Sequence, residues 1–191
     1  NHDFKPGEGV FGIIGAGNFT SSTIVPGLKA AGAQIKYISS AGGLTASILA
    51  KKAGISYSTT DFREVINDGV VDTVIISTRH NLHSAMVVDS LKAGKHVFVE
   101  KPLCLTEDEL IDILNAYNLS GKENKNGHPM LVVGFNRRFS PLSKKIKDLL
   151  GDGPKNIIAT MNAGFIPADS WVHDIETGGG RTNENYFRWL Y

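Results

Sequence analysis

The chain has 191 residues, enough for one full domain and part of another, and 41% of them are apolar, so a sizeable core can form. Twenty basic residues against 19 acidic ones leave no field to gather nucleic acid or an anionic membrane surface. No run of about 18 apolar residues is present to span a bilayer, and the single cysteine, Cys104, excludes an internal disulfide and fits a cytoplasmic protein. The N-terminal stretch "NHDFKPGEG" lacks the apolar segment of a signal peptide and a starting Met, as expected of a piece of a longer chain.

Short apolar runs alternate with helical patterns along the chain. The runs at 10–14, 34–39, 71–77, 96–100 and 130–135 are short and read as apolar on both faces, as a parallel sheet covered by helices requires. Helices are expected near 20–31, 43–53, 61–68, 83–94 and 107–118, where apolar residues recur three or four apart, as in Leu110, Ile113 and Leu114. Asp61 is placed to cap one helix, and Thr106 with Glu109 forms a capping box at the start of another. Gly54, Gly69 and Gly94 stand where helices should stop. This alternation implies right-handed crossovers and an α/β, doubly wound parallel sheet.

The polar segment 120–129 reads as a surface loop before the last strand of that sheet. After it the character changes, with a helix expected over 141–150 and a strand over 155–166. We therefore expect a nucleotide-binding domain at 1–138 and the start of a second, open-sheet α/β domain at 139–191, too short to close its own core.

The segment "GVFGIIGAGNFTSST" (9–23) carries the first chemistry. A parallel strand presents its ligand at its carboxyl end, where the next helix begins. Gly15 allows a tight turn, Gly17 lets a diphosphate approach the backbone, and the turn through Asn18 and Phe19 offers helix N-terminal amides to the anion. Thr20 occupies the third glycine position of the G-x-G-x-x-G pattern, and Pro26 should kink the helix. Two glycines in a strand–turn–helix also suit methyltransferases and plain structural turns. At the end of the second strand, where an acid would bind a ribose 2′-hydroxyl, stand Ser39 and Ser40. No carboxylate there repels a 2′-phosphate and no arginine binds one, so NAD and NADP both remain open.

Further along, "STRHNLHSAMVVDSLKAGKHV" (77–97), "VFVEKPLCLTEDEL" (97–110), "VGFNRRFSPL" (133–142) and "WVHDIETGGGR" (171–181) follow the glycine turn in order. Together these motifs resemble the Gfo/Idh/MocA family, dehydrogenases of the glucose–fructose oxidoreductase and inositol dehydrogenase type. The likeness spans residues 10–181, and within the family it is similar to dehydrogenases that form the second half of a fused polypeptide. The resemblance implies a Rossmann domain binding NAD or NADP, followed by an α/β domain whose open sheet faces the nicotinamide and forms oligomers in the full-length protein. It implies that Lys101 is the catalytic lysine, with Glu100 and Pro102 as supports, and that the substrate is a sugar, cyclitol or similar polyol. The family's Thr-Pro-Asn-x-x-His element falls on Thr78 to His83. Only Thr78 and His83 match, with Arg79 in place of proline and His80 in place of asparagine, so Ser77, Thr78, Arg79, His80 and His83 are expected around the cofactor. The family continues past the glycine run to a histidine acting with the lysine. Here "TNENYFRWLY" follows instead, so weak or no turnover is expected of this chain.

A physical reading of Lys101 stands beside the resemblance. A residue before proline is excluded from the helical region, which places this lysine in an extended loop at a strand's carboxyl end. Desolvated beside a cationic nicotinamide, its amine should titrate low and exchange a proton with a substrate hydroxyl. Read without the resemblance, Lys101 is a solvated loop lysine and Glu100 caps the following helix. Arg137 and Arg138 are candidates to clamp a substrate carboxylate or a cofactor phosphate, and read equally as interdomain ion-pair partners. Trp171, His173 and Asp174 read as a substrate-facing loop or as an ordinary turn with one packed aromatic. His80 and His83 have a metal-compatible spacing but no nearby Cys or acid, so no metal is expected. Cys104 reads as a small buried filler. The competing reading of the whole chain is a non-catalytic nucleotide-binding or scaffolding module.

Overall fold

The computed structural model describes residues 3–123, 128–156, 158, 160 and 164–179. The chain divides into two units, residues 1–134 and 135–191.

The first unit is built on one parallel sheet. Its strands are β1 (Val10–Ile14), β2 (Gln34–Ser39), β3 (Tyr57–Thr59), β4 (Thr73–Ile76), β5 (His96–Glu100) and β6 (Leu131–Gly134), in the order β3-β2-β1-β4-β5-β6. This is the doubly wound order in which the chain reverses direction beside β1, and ligands bind in the crevice left there. The α/β doubly wound class is therefore observed, with one strand more than the apolar runs mark. β3 is a three-residue edge strand whose Tyr57 and Ser58 are exposed, so it carries no apolar signature.

Successive residues of the strands feed two cores. Ile14, Val74 and Ile76 pack with Val65 of α3 (Phe62–Asn67), Val87 and Leu91 of α4 (His83–Lys92), and Ile113 of α5 (Glu107–Glu123). On the opposite face, Ile13 and Ile75 pack with Val25 of α1 (Val25–Ala30) and with Leu49 and Ala50 of α2 (Leu44–Ala53). Each such fully buried aliphatic side chain contributes about 1.5–3 kcal/mol. In β2 the alternation breaks: Phe11 pairs with Ile35 but Gly12 pairs with Tyr37, leaving Lys36 as an extra, bulged residue. The bulge brings Ile35 and Ile38 to the same face and sends Lys36 to Asp68, where the ion pair is 2.6 Å and both side chains are largely buried.

The helix signals act as expected at several ends. The Asp61 carboxylate accepts from Arg63 N–H at 2.9 Å. Glu109 N–H donates to Thr106 Oγ1 at 3.2 Å, while the Glu109 carboxylate accepts from the amides of Leu105 and Thr106. Gly54 and Gly94 take positive φ beyond their helices, whereas Gly69 lies two residues past the end of α3 without doing so.

Pro26, expected to kink the first helix, falls at the start of α1, directly after a π-helical turn at Thr20–Ile24 in which Val25 N–H reaches back five residues to Thr20 O. Two expectations are corrected. The surface loop at 120–129 is shorter than expected, since α5 runs on through Ser120 and Gly121 to Glu123; residues 124–127 lie outside the described ones. The strand at 155–166 falls partly outside the described residues, and those described within it form no strand.

The second unit holds a short 3₁₀ turn at Asn136–Phe139, α6 (Pro141–Leu150), a 3₁₀ turn at Trp171–His173 and α7 (Ile175–Gly178). Ser140 caps α6, its hydroxyl accepting from Ser143 N–H at 3.1 Å. Leu142, Ile146 and Leu149 of α6 line one helical face and are exposed.

Candidate active site

The carboxyl ends of β1, β4 and β5 are neighbours, because β1 pairs with β4 and β4 with β5, all parallel. With strands about 4.8 Å apart, residues just past β1 and β5 stand about 10 Å from one another across the sheet edge.

Past β1 the turn depends on Gly15. Its φ is 109°, its N–H donates to Ser39 O at 2.9 Å, and a Cβ there would lie 2.7 Å from Ser77 O. Gly17 differs: a Cβ added there meets nothing within 4 Å. Ser21 N–H donates to Gly17 O at 3.0 Å as the helix begins, and the earlier amides of a first turn have no acceptor behind them in the helix. Open space beside a glycine at a helix start fits an anionic group such as a pyrophosphate. Asn18 and Phe19 are exposed on this turn.

Thr20 replaces the third motif glycine with a specific bond. Its side chain is fully buried, and its Oγ1 lies 2.6 Å from Ser77 Oγ. Ser77 Oγ–H donates to Gly15 O at 3.2 Å, so the Thr20 hydroxyl donates to Ser77. Ser77 thereby ties the glycine turn to the end of β4. Sequence reasoning placed Ser77 near the cofactor but missed this pairing, which no local pattern announces.

At the end of β2, Ser39 is 2% exposed. The Ser40 hydroxyl accepts from Thr45 Oγ1 at 3.0 Å and from Ala46 N–H at 3.3 Å, so it secures the start of α2. Both serines expected to meet the ribose are engaged in the fold.

Past β4, the Thr78 hydroxyl contacts Arg79 O at 3.3 Å, Arg79 is exposed and His80 is buried. His83 opens α4 with 0% exposure. Its Nδ1 lies 2.6 Å from Pro102 O and its Nε2 3.2 Å from Thr78 O. Burial lowers its pKa below the usual imidazole range, and the nearby Lys101 cation adds to this, against the opposing pull of the surrounding carbonyls. The neutral ring carries one N–H, and the shorter contact assigns it to Nδ1, donating to Pro102 O. His80 and His83 have ring centres 5.7 Å apart, and carbonyls stand at both His83 nitrogens, which removes that ring as a metal ligand.

Lys101 follows β5 directly, half-buried, and its bond to Pro102 is cis. Glu100 pairs in register with Gly134 of β6, and a Cβ at Gly134 would lie 2.7 Å from Glu100 Oε1. Gly134 therefore leaves the space in which the Glu100 carboxylate rests, a dependence that sequence reasoning did not identify. Cys104 is half-buried against the core, and burial pushes its thiol pKa up, with Glu109 adding to the effect.

The remaining candidates belong to the second unit. Arg137 is exposed, and its carbonyl accepts from Ser140 N–H at 3.1 Å. Trp171 is partly exposed. The Asp174 carboxylate caps α7, accepting from Thr177 N–H at 2.6 Å, and that bond holds its pKa below the ordinary value. Arg181 lies outside the described residues.

At the opposite, amino end of the sheet, a cavity of about 730 Å³ is lined by Asp72, Lys95 and His96 among others. Those groups hold the fold. Lys95 Nζ donates to the carbonyls of Asp68 and Val71, and the Asp72 carboxylate accepts from the amides of Gly7, Gly9 and Val10. Among the described residues no three His, Cys, Asp or Glu side chains form a metal-binding group, and no helix is long and apolar enough to cross a membrane.

Comparison with known proteins agrees with this geometry. Residues 10–128 match the Gfo/Idh/MocA group, the oxidoreductase family with an NAD-binding Rossmann fold. The chain is 30% identical over 183 residues to the uncharacterized oxidoreductase YrbE of Bacillus subtilis, a match covering 87% of this chain and 52% of that protein. It is 38% identical over 103 residues to the myo-inositol 2-dehydrogenase of Thermotoga maritima, covering 54% of this chain and 29% of the enzyme. The crystal structure of an NAD binding oxidoreductase from Klebsiella pneumoniae superposes with a TM-score of 0.59 at 25% identity, over 74% of this chain and 38% of that one. The chain thus spans about half the length, or less, of these relatives. It belongs to the Gfo/Idh/MocA oxidoreductase family.

Proposed function

We propose that this member of the family is the cofactor-binding part of an NAD(P)-dependent oxidoreductase acting on a secondary alcohol or ketone of a sugar, cyclitol or similar polyol. The observation that carries the reading is the shared sheet edge: the glycine turn after β1 and Lys101 after β5 flank the end of β4. The amides of the Gly17–Thr20 turn would hold the pyrophosphate, and Thr78 with Arg79 would line the next part of the crevice. Bound there, the nicotinamide supplies the hydride acceptor or donor. Lys101 Nζ would take the proton of the substrate hydroxyl during oxidation and return it during reduction. Glu100, seated in the space left by Gly134, would fix the polarity of that corner.

Arg137 and Trp171 of the second unit would be substrate-contacting residues, and in the full-length protein the sheet of the domain expected at 139–191 would form oligomers. Asp174, occupied as a cap, would serve by shaping that segment. Near-balanced charge supports a small-molecule substrate over nucleic acid, and a cytoplasmic location fits the lone cysteine. Ser39 and Ser40 offer neither a carboxylate for the NAD ribose nor a cation for the NADP phosphate, so both dinucleotides belong in the test.

The test pairs binding with turnover. NADH and NADPH affinities are measured by fluorescence on this chain, and hydride transfer is followed in the full-length protein with a panel of cyclitols and sugars. In Lys101→Ala the dinucleotide Kd should stay within about threefold while hydride transfer falls about a hundredfold or more. Equal turnover in the two proteins would refute the catalytic role and leave the nucleotide-binding module.

A further inference from the structure

His83 carries more structural information than its place beside a cofactor crevice requires. The ring is fully buried. Three main-chain carbonyls surround it: Pro102 O at 2.6 Å from Nδ1, Thr78 O at 3.2 Å from Nε2, and that of Glu100. Two of these lie on either side of Lys101, and the third lies on the loop after β4. A side chain with no exposed surface cannot touch a ligand in the crevice. One that joins two neighbouring loops fixes where they stand.

We propose that His83 is a positioning residue: its Nδ1–H grips Pro102 O and so sets the place of Lys101 relative to the Thr78 loop, without itself contacting the dinucleotide. β5 ends at Glu100 and the capping box of α5 begins at Leu105 and Thr106, so the bond to Pro102 O falls in the stretch that joins the two elements. Anchoring the carbonyl next to Lys101 fixes the backbone from which the ammonium extends. The first residue of α4 is a suitable anchor because it moves with the helix core, where Val87 and Leu91 are fully buried. The mechanistic weight of this role rests on the proposed function of Lys101, but the geometric claim does not.

The hydrogen-bonding atoms give the role a specific signature. An Asn amide nitrogen reaches the position of Nδ1, and a Gln amide nitrogen reaches that of Nε2. Because the short bond is made from Nδ1, Asn should replace His83 and Gln should not. The experiment uses the chain with its lysines carrying ¹³C-dimethyl groups, the Lys101 signal being assigned by its loss in Lys101→Arg. Three variants, His83→Asn, His83→Gln and His83→Leu, are compared for the NMR position of that signal, for NADH Kd, and for the denaturation midpoint. In His83→Asn the Lys101 signal should stay at its wild-type position. In His83→Gln and His83→Leu it should move to that of exposed lysines such as Lys51 and Lys52. The NADH Kd should stay within about twofold throughout, since the ring does not reach the crevice. The proposal is overturned if His83→Gln leaves the Lys101 signal in place, or if His83→Asn displaces it as far as Gln does. A Kd loss of about tenfold in all three variants with an unmoved lysine signal would make His83 a cofactor contact instead. If His83→Leu does not fold, the Asn and Gln pair still decides. The lysine signal is read without cofactor, so failure of wild-type chain to bind NADH would count against the proposed function and leave the positioning claim to its own test.

Discussion

Gly15 and Gly17 lie two residues apart in one turn, yet the structure assigns them separate duties, and replacing each by alanine separates fold from binding. At Gly15 the backbone sits at φ 109°, outside even the left-handed region that other residues visit. That conformation costs an L side chain about 1–3 kcal/mol. The new Cβ would also meet Ser77 O at 2.7 Å and Ser77 C at 2.8 Å, backbone atoms that cannot swing aside, which adds about 1–3 kcal/mol of overpacking. Gly15→Ala should therefore lose about 2–6 kcal/mol, a fall in Tm of about 10 °C or more for a domain of this size. At Gly17 the φ is not positive and the added methyl meets nothing within 4 Å. Gly17→Ala should leave stability within about 1 kcal/mol, with a small gain possible from a stiffer unfolded chain. The same methyl enters the space assigned to the pyrophosphate, so the NADH Kd should rise about tenfold or more, about 1.4 kcal/mol. The assay is chemical denaturation with a fluorescence titration of NADH on the same samples. Gly17→Ala with unchanged affinity would refute the phosphate assignment, and Gly15→Ala with unchanged stability would refute the account of the turn.

Other consequences follow from individual contacts. Thr20→Val keeps the shape but removes the donor to Ser77 Oγ, and urea denaturation should show a loss of about 1–2 kcal/mol. Gly134→Ala would press on the Glu100 carboxylate at 2.7 Å and on the Phe98 ring at 3.0 Å, so it should cost about 1–3 kcal/mol of stability and, in the full-length protein, lower hydride transfer, read by steady-state kinetics; unchanged kinetics would show that the Glu100 seat is irrelevant. Burial raises the Asp68 pKa, but the hydrogen bonds from Lys36, Val70 and Tyr37 outweigh it, so the net shift is downward. A depressed folded pKa gives stability that is present above the ordinary aspartate value and lost as pH falls through the folded one, so denaturation midpoints should drop at acid pH and Asp68→Asn should flatten that drop. His83 is also depressed, so the unfolded chain takes its proton first; stability should decline as pH falls below about 6.5, a decline absent in His83→Asn.

The sheet was legible in the sequence because β1, β4 and β5 carry consecutive apolar residues that feed both cores, while β2, interrupted by Lys36, and β6, an edge strand with Val132 exposed, still keep short apolar clusters. β3 was not, because an edge strand of Tyr-Ser-Thr buries too little to need apolar residues. Asp61 and the Thr106–Glu109 box were legible because capping acts between residues two or three apart. The end of α5 was not: Ser120 and Gly121 carry loop signals, yet Ser120 is buried and its hydroxyl bonds Tyr117 O at 2.8 Å. At the site, the glycine turn and the Glu-Lys-Pro segment were visible as local patterns. The Thr20–Ser77 bond, the seat of Glu100 on Gly134 and the enclosure of His83 join residues 57, 34 and 19 positions apart, and only the folded sheet brings them together. Ser40 shows the converse case, where a hydroxyl suited to a ribose is used to start α2.

The central claim is that a nicotinamide dinucleotide lies across the carboxyl ends of β1, β4 and β5. An NMR titration of ¹⁵N-labelled chain with NADH and with NADPH tests it most directly. The account predicts saturable shifts in the amides of Ala16 to Thr20, Thr78 and Lys101, with Gly94 and His96 at the far end of the sheet unmoved. Shifts confined to Gly94 and His96, or none with either dinucleotide at millimolar concentration, would contradict it.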